Sequence, residues 1–193
     1  MKASTTGGES LFSDTFHALE KMKLEEALID SLSQFDVKYH YRNDGHWYQF
    51  THKTIEYDPS RHLQQSHRLH LMRRRKKAQV KAVNWSPPFQ APFAEAIGIP
   101  QVAKARKPSV LSTYLQATKV FKGLIEDEEA VFETKMDPGT CVIFDNRRIV
   151  HARNAFEGED SERWLRGAYI DEDGFKSRLR VLNEELGVIM PKE

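Results

Sequence analysis

The sequence predicts an α+β chain that is mainly β, a β-sandwich or jelly roll with helices added around it. Three observations predict this. The last third breaks into short apolar segments separated by turn residues. An aromatic stretch in the first half is cut by Asn43-Asp44-Gly45, the residues of a tight hairpin turn. Two segments with helical spacing of apolar residues flank that stretch.

The elements follow in chain order. Ser13 and Asp14 offer helix caps, and Phe16, Leu19, Leu24, Ala27, Leu28 and Leu32 recur at helical spacing over 14–33, with a break near Lys23. Residues 35–41 and 46–52 form the arms of the hairpin, rich in Tyr, Trp, Phe, His and Thr, and a short strand follows at 54–57. Another strand spans 80–85 and stops at Ser86-Pro87-Pro88. Beyond a Pro-punctuated connection, Ser109 caps a helix over 109–126 whose Leu111, Tyr114, Leu115, Thr118, Phe121, Leu124 and Ile125 make one stripe. Strands are then expected at 131–136, 141–146, 149–153 and 163–171, with a turn at Asp137-Pro138-Gly139-Thr140 and a closing helix near 173–185.

Composition bounds the class. With 193 residues, 39% of them hydrophobic and 30% charged, the chain has ordinary globular composition for one domain or part of one. Cys141 is the single cysteine, which excludes an internal disulfide framework. No apolar run approaches the roughly 20 residues that span a bilayer, and MKASTTGGES lacks the apolar core of a signal peptide. An intracellular setting, cytoplasm or mitochondrion, is expected. The net charge of +1 hides an asymmetry: residues 61–81 hold eight Lys/Arg and no acid, leaving 21 bases against 28 acids elsewhere. No aromatic residue lies in that run to stack on bases, so it reads as a solvated basic insertion at about 60–79 rather than a nucleic-acid patch.

Chemistry concentrates late in the chain. His151 is the single histidine of the last third, just past the turn Asp145-Asn146-Arg147-Arg148, where an imidazole can ligate a metal or hydrogen-bond structurally. In 163–169, Arg163, Leu165, Gly167 and Tyr169 share one face of an alternating strand. A half-buried guanidinium there requires an anion, either a bound carboxylate or an internal acid. His40, His46 and His52 are separated by the hairpin turn, His67 and His70 lie in the basic insertion without an acid, and Asp171-x-Asp173 reads as a helix cap. Cys141 has no adjacent base to activate it.

The string 137–153, DPGTCVIFDNRRIVHAR, resembles the C-terminal core of γ-butyrobetaine and trimethyllysine dioxygenases in the TauD/TfdA group of Fe(II)/2-oxoglutarate oxygenases. Residues 163–169 and 177–182 continue the likeness. Upstream, Gly7-Gly8-Glu9-Ser10-Leu11-Phe12 resembles the group's Gly-Gly-acid-Ser/Thr segment, and 84–93, NWSPPFQAPF, is similar to its fungal branch. The resemblance implies a partial double-stranded β-helix with flanking helices, and Fe(II) and 2-oxoglutarate as cofactors with ascorbate as reductant. It implies His151 as an iron ligand, Arg163 paired with the distal carboxylate of 2-oxoglutarate, and Ser10 hydrogen-bonded to that cosubstrate. Tyr169 is implied as one wall of an aromatic cage for a trimethylammonium group. Arg163 and Tyr169 stand roughly 20 Å apart along an extended strand, so they serve opposite ends of the site or the strand bends.

One part of the group's pattern is missing. Its iron triad also uses a His-x-Asp/Glu pair, and none of the eight histidines is followed two residues on by an acid. The chain therefore reads as the C-terminal portion of an oxygenase domain over 1–193, truncated and inactive alone. The alternative is a non-catalytic pseudoenzyme or binding module on the same fold. The expected partner is a small-molecule substrate, with no nucleic acid, no membrane, and a homodimer left open.

Overall fold

Asp14 ends one element and starts the next: it is the last residue of a strand, and its carboxylate accepts the Phe16 N–H (2.9 Å) as the cap of the following helix. The computed structural model describes residues 6–58, 79–91, 109–157 and 165–188. In order these hold β1 (Thr6–Gly7), β2 (Ser10–Asp14), α1 (Thr15–Lys21), α2 (Glu26–Gln34), β3 (Asp36–Asn43), β4 (His46–Lys53), β5 (Ile55–Tyr57) and β6 (Val80–Val83). A 3-10 turn at Pro87–Phe89 follows, then α3 (Val110–Ile125), β7 (Val131–Thr134), β8 (Ile149–Arg153), β9 (Phe156–Glu157) and α4 (Glu172–Glu185).

The strands form small antiparallel sheets: β1 with β9, β3 with β4, β5 with β6, and a three-stranded sheet in the order β7-β2-β8. The hairpin turns as its residues dictate. Asp44 and Gly45 both take positive φ (48° and 77°), the two-residue geometry whose twist matches the strands. On α3, Ser109 Oγ accepts the Ser112 N–H (3.0 Å), and Tyr114, Ala117, Phe121 and Ile125 line one buried stripe. That stripe meets Ala18, Leu19 and Met22 from α1 and its end, Leu28 and Leu32 of α2, and Val37, Tyr39, Ile55 and Val83 from the strands. Phe121 meets Trp85 edge-on at 5.1 Å, Tyr114 stacks on Phe35 at 4.4 Å, and its hydroxyl shares a hydrogen bond with buried Thr54 (2.9 Å). This core is the floor beneath the three-stranded sheet, reached through Val150 of β8.

Three expectations are corrected. Residues 141–144 are irregular rather than a buried strand: Cys141 is exposed and Ile143 is 86% exposed. Residues 165–170 are likewise irregular and exposed, so the alternation expected for 163–171 does not exist where it is described. Leu24 is not on a helical stripe; it sits 97% exposed in the turn between α1 and α2, and Ala27 is exposed too. The described residues thus show helices mixed with antiparallel strands. The basic insertion falls almost wholly outside them, and Arg163 lies outside as well.

Candidate functional site

The sheet β7-β2-β8 is built from segments far apart in sequence, and its register decides which side chains meet. Ser10 pairs with Arg153 and Thr134, and Phe12 with His151 and Phe132. Directly opposed residues share a face, so Ser10, Phe12, Phe132, Thr134, His151 and Arg153 stand on one side. Leu11, Ser13, Val131 and Val150 stand on the other, where Val150 packs against the core. Ser10 and His151 are diagonal neighbours on that outer face, roughly 7–8 Å apart at Cα by strand geometry. The Phe144 ring comes over from the irregular segment to meet both Phe12 (5.5 Å) and the His151 imidazole (5.0 Å). His151 is thus an exposed imidazole with an aromatic wall, and Ser10 a buried hydroxyl residue beside it.

Two fastenings hold β8 in register. The Arg148 guanidinium grips the Asp14 carboxylate in a fork, Nε at 3.0 Å from Oδ1 and Nη2 at 2.5 Å from Oδ2, and lies 5.1 Å over the Phe16 ring. Thr15 donates both its N–H (3.1 Å) and its hydroxyl (2.6 Å) to the Arg148 carbonyl. Hydrogen bonds from Arg148 hold the Asp14 carboxyl below its ordinary range and push the guanidinium up. On the other side, Arg147 Nη2 donates to Glu56 Oε2 (2.9 Å), while Asn84 Nδ2 (2.7 Å) and His52 Nδ1 (3.1 Å) reach Glu56 Oε1. Burial pulls the Glu56 carboxyl upward, but Asn84, Arg147 and His52 outweigh it and the net direction is down. Val83 N–H donates to the Arg147 carbonyl (2.8 Å), and the Asp145 side chain accepts the Arg147 N–H (2.8 Å) to close the turn. At the other end of β2, Gly7 and Gly8 both take positive φ, which lets the chain swing from β1 into β2 while Gly8 donates to the Ala155 carbonyl (3.0 Å).

Of the sequence-predicted residues, the structure therefore brings His151 and Ser10 together. Tyr169 is 87% exposed in an irregular segment, not on a strand, and Arg163 lies outside the described residues. A metal ion needs more than one imidazole. Among the described residues no group of three His, Cys, Asp or Glu stands close enough to hold one, so the face as described does not by itself fit an iron centre. Sequence reasoning missed Phe12 and Phe144 as neighbours of His151. Strand alternation puts Phe12 on one face with Ser10, but its place opposite His151 depends on which strands pair. Among the described residues no helix is long and apolar enough to cross a membrane.

Residues 1–169 match a family model described as "Taurine catabolism dioxygenase TauD, TfdA family". "Dioxygenase str8" of Strobilurus tenacellus is 34% identical over 185 residues, covering 91% of this chain and 37% of its own. "Gamma-butyrobetaine dioxygenase" of Homo sapiens is 29% identical over 193 residues, 96% of this chain and 42% of its own. "Trimethyllysine dioxygenase" of Meyerozyma guilliermondii is 40% identical over 76 residues, 39% of this chain and 18% of its own. The chain spans less than half the length of each of these relatives.

Proposed function

The chain belongs to the taurine catabolism dioxygenase TauD, TfdA family, and from that premise we propose that it serves Fe(II)- and 2-oxoglutarate-dependent hydroxylation of a small molecule. A trimethylammonium compound is the proposed substrate class, and a jelly roll that includes the β7-β2-β8 sheet is the proposed frame. The observation that carries the reading is the shared outer face of Ser10 and His151, which puts a hydroxyl residue beside the imidazole. His151 would be one ligand of that metal, and the chain's 193 residues hold no His-x-Asp/Glu pair to complete the triad. Arg163 takes the distal carboxylate of 2-oxoglutarate, since its planar fork matches a carboxylate at two points. Ser10 donates its hydroxyl to the same cosubstrate. Tyr169 offers an accessible ring face to a quaternary ammonium group.

Titration calorimetry with 2-oxoglutarate, on the wild-type chain and Arg163→Ala, tests this. The proposal expects binding that the variant weakens about tenfold or more, the usual cost of removing one side of a hydrogen-bonded charge pair. Equal affinity in both proteins would overturn the role of Arg163. No affinity in either would favour the non-catalytic alternative.

A further inference from the structure

A cleft of about 270 Å³ opens between the Trp85–Gln90 segment and α3, and the candidate site does not use it. Trp85 and Pro87 line one side and Leu115 the other, with buried Tyr114 at the base. Both sides are fastened before any ligand arrives. The Trp85 ring meets buried Phe121 edge-on at 5.1 Å, and the Tyr114 hydroxyl shares its hydrogen bond with Thr54 (2.9 Å). Past the 3-10 turn, the Gln90 N–H donates to the Pro87 carbonyl (3.1 Å) and the Ala91 N–H to the Lys38 carbonyl of β3 (2.8 Å). A cleft tied in this way to the core and to a strand needs little ordering when a ligand enters.

The charge at the cleft has one sign. Lys119 and Lys122 line it, three residues apart on α3 and so neighbours on the helix surface, and no acid lines it among the described residues. Lys119 makes no ion pair among those residues. Lys122 meets the Glu126 carboxylate at 3.7 Å with both side chains more than half exposed, a loose surface pair. The Thr118 hydroxyl is already spent on the Leu115 carbonyl (2.9 Å). What remains is an apolar slot edged by two ammonium groups.

We propose that this cleft binds a free small molecule, a carboxylate with a flat apolar body. The body lies against Trp85, Pro87 and Leu115, and the carboxylate faces the Lys119 and Lys122 ammonium groups. Size bounds the ligand: the cleft falls below the roughly 300–1,000 Å³ of most ligand pockets, so it takes a ring system rather than a nucleotide. Charge selects its sign, because a cationic ligand would be repelled by both lysines and an uncharged one gains nothing from them. The apolar lining selects against a compact dicarboxylate such as 2-oxoglutarate, which has no body to cover Trp85 and Leu115. Ser10, His151, Arg163 and Tyr169 take no part, so the site stands or falls separately from the oxygenase reading.

Heteronuclear NMR of the full chain, titrated with naphthalene-2-carboxylate and with the uncharged naphthalene-2-carboxamide, tests the proposal. The carboxylate is expected to give saturable shifts centred on the Trp85 indole N–H, Leu115, Thr118 and Lys119. The carboxamide should bind about fivefold more weakly or worse. Lys119→Glu turns attraction into repulsion and should weaken the carboxylate about fivefold or more, whereas Lys119→Arg should hold it within about twofold. Lys21→Glu makes the same charge change at an exposed position of α1 and should leave the affinity unchanged. Position 119 is also exposed, so neither substitution there disturbs the core, and the rest of the spectrum should stay in place. A carboxamide bound as tightly as the carboxylate, an affinity that Lys119→Glu leaves alone or that Lys21→Glu lowers equally, or no saturable shift in the cleft would each overturn the proposal.

Discussion

Asp14 does two jobs at the junction of β2 and α1, and their separate sizes give a sharp prediction. Its carboxylate caps α1 through the Phe16 N–H and holds Arg148 in a forked ion pair. Loss of a side-chain cap costs about 1 kcal/mol. The pair is 48% exposed at Arg148 and 31% at Asp14, so solvent screening limits it to about 0.5–1 kcal/mol. Asp14→Ala is therefore expected to destabilise by about 1.5–2 kcal/mol. Arg148→Ala loses the pair and the Phe16 ring contact, about 1–1.5 kcal/mol together. The double variant isolates the pair as a coupling of about 0.5–1 kcal/mol. Urea unfolding followed by circular dichroism reads all three. The carboxyl sits below its ordinary 3.8 in the folded chain, so its contribution is complete above that value and fades as pH falls through the lower folded value. The wild-type advantage over Asp14→Asn should accordingly shrink as pH drops below about 4. A cost for Asp14→Ala no larger than that for Arg148→Ala, with zero coupling, would refute the two-part assignment.

Three further outcomes follow from the packing. Phe121→Ala empties a fully buried site against Trp85 and should cost about 3–5 kcal/mol in urea unfolding, with a shifted tryptophan emission. Ser13→Ala removes a buried hydroxyl that has no partner among the described residues, and should be neutral or stabilising by up to about 1 kcal/mol in the same assay. Gly45→Ala forces a Cβ into positive φ at the hairpin turn and should cost about 1 kcal/mol, although no atom of the described residues stands within 4 Å to clash with it.

Local chemistry made part of the fold legible. Asn43-Asp44-Gly45 specifies a hairpin by backbone conformation alone, and Ser109 with the Tyr114–Ala117–Phe121–Ile125 spacing specifies a helix and its buried face. Residues 141–144 show the limit. An apolar, β-branched run becomes a strand only if another strand offers hydrogen bonds, and none of the described residues offers them there, so Ile143 faces solvent instead. Leu24 fails for a related reason: the stripe from Phe16 to Leu32 spans two helices, and the turn between them is free to expose its leucine. At the site, His151 stood out through its motif, but its nearness to Ser10 is a matter of register between β2 and β8, which no local pattern encodes. Phe144 reaches the imidazole from an irregular segment, so no periodicity could have placed it.

We propose that the outer face of β2 and β8 is the cosubstrate end of the protein. Heteronuclear NMR of the 193-residue chain, titrated with 2-oxoglutarate, tests this most directly. The signals of Ser10, His151 and Arg153 are expected to shift first and together, and Ser10→Ala is expected to weaken that response while leaving the rest of the spectrum in place. Shifts centred instead on cations away from that face, such as Lys119 and Lys122, and unchanged by Ser10→Ala, would contradict it.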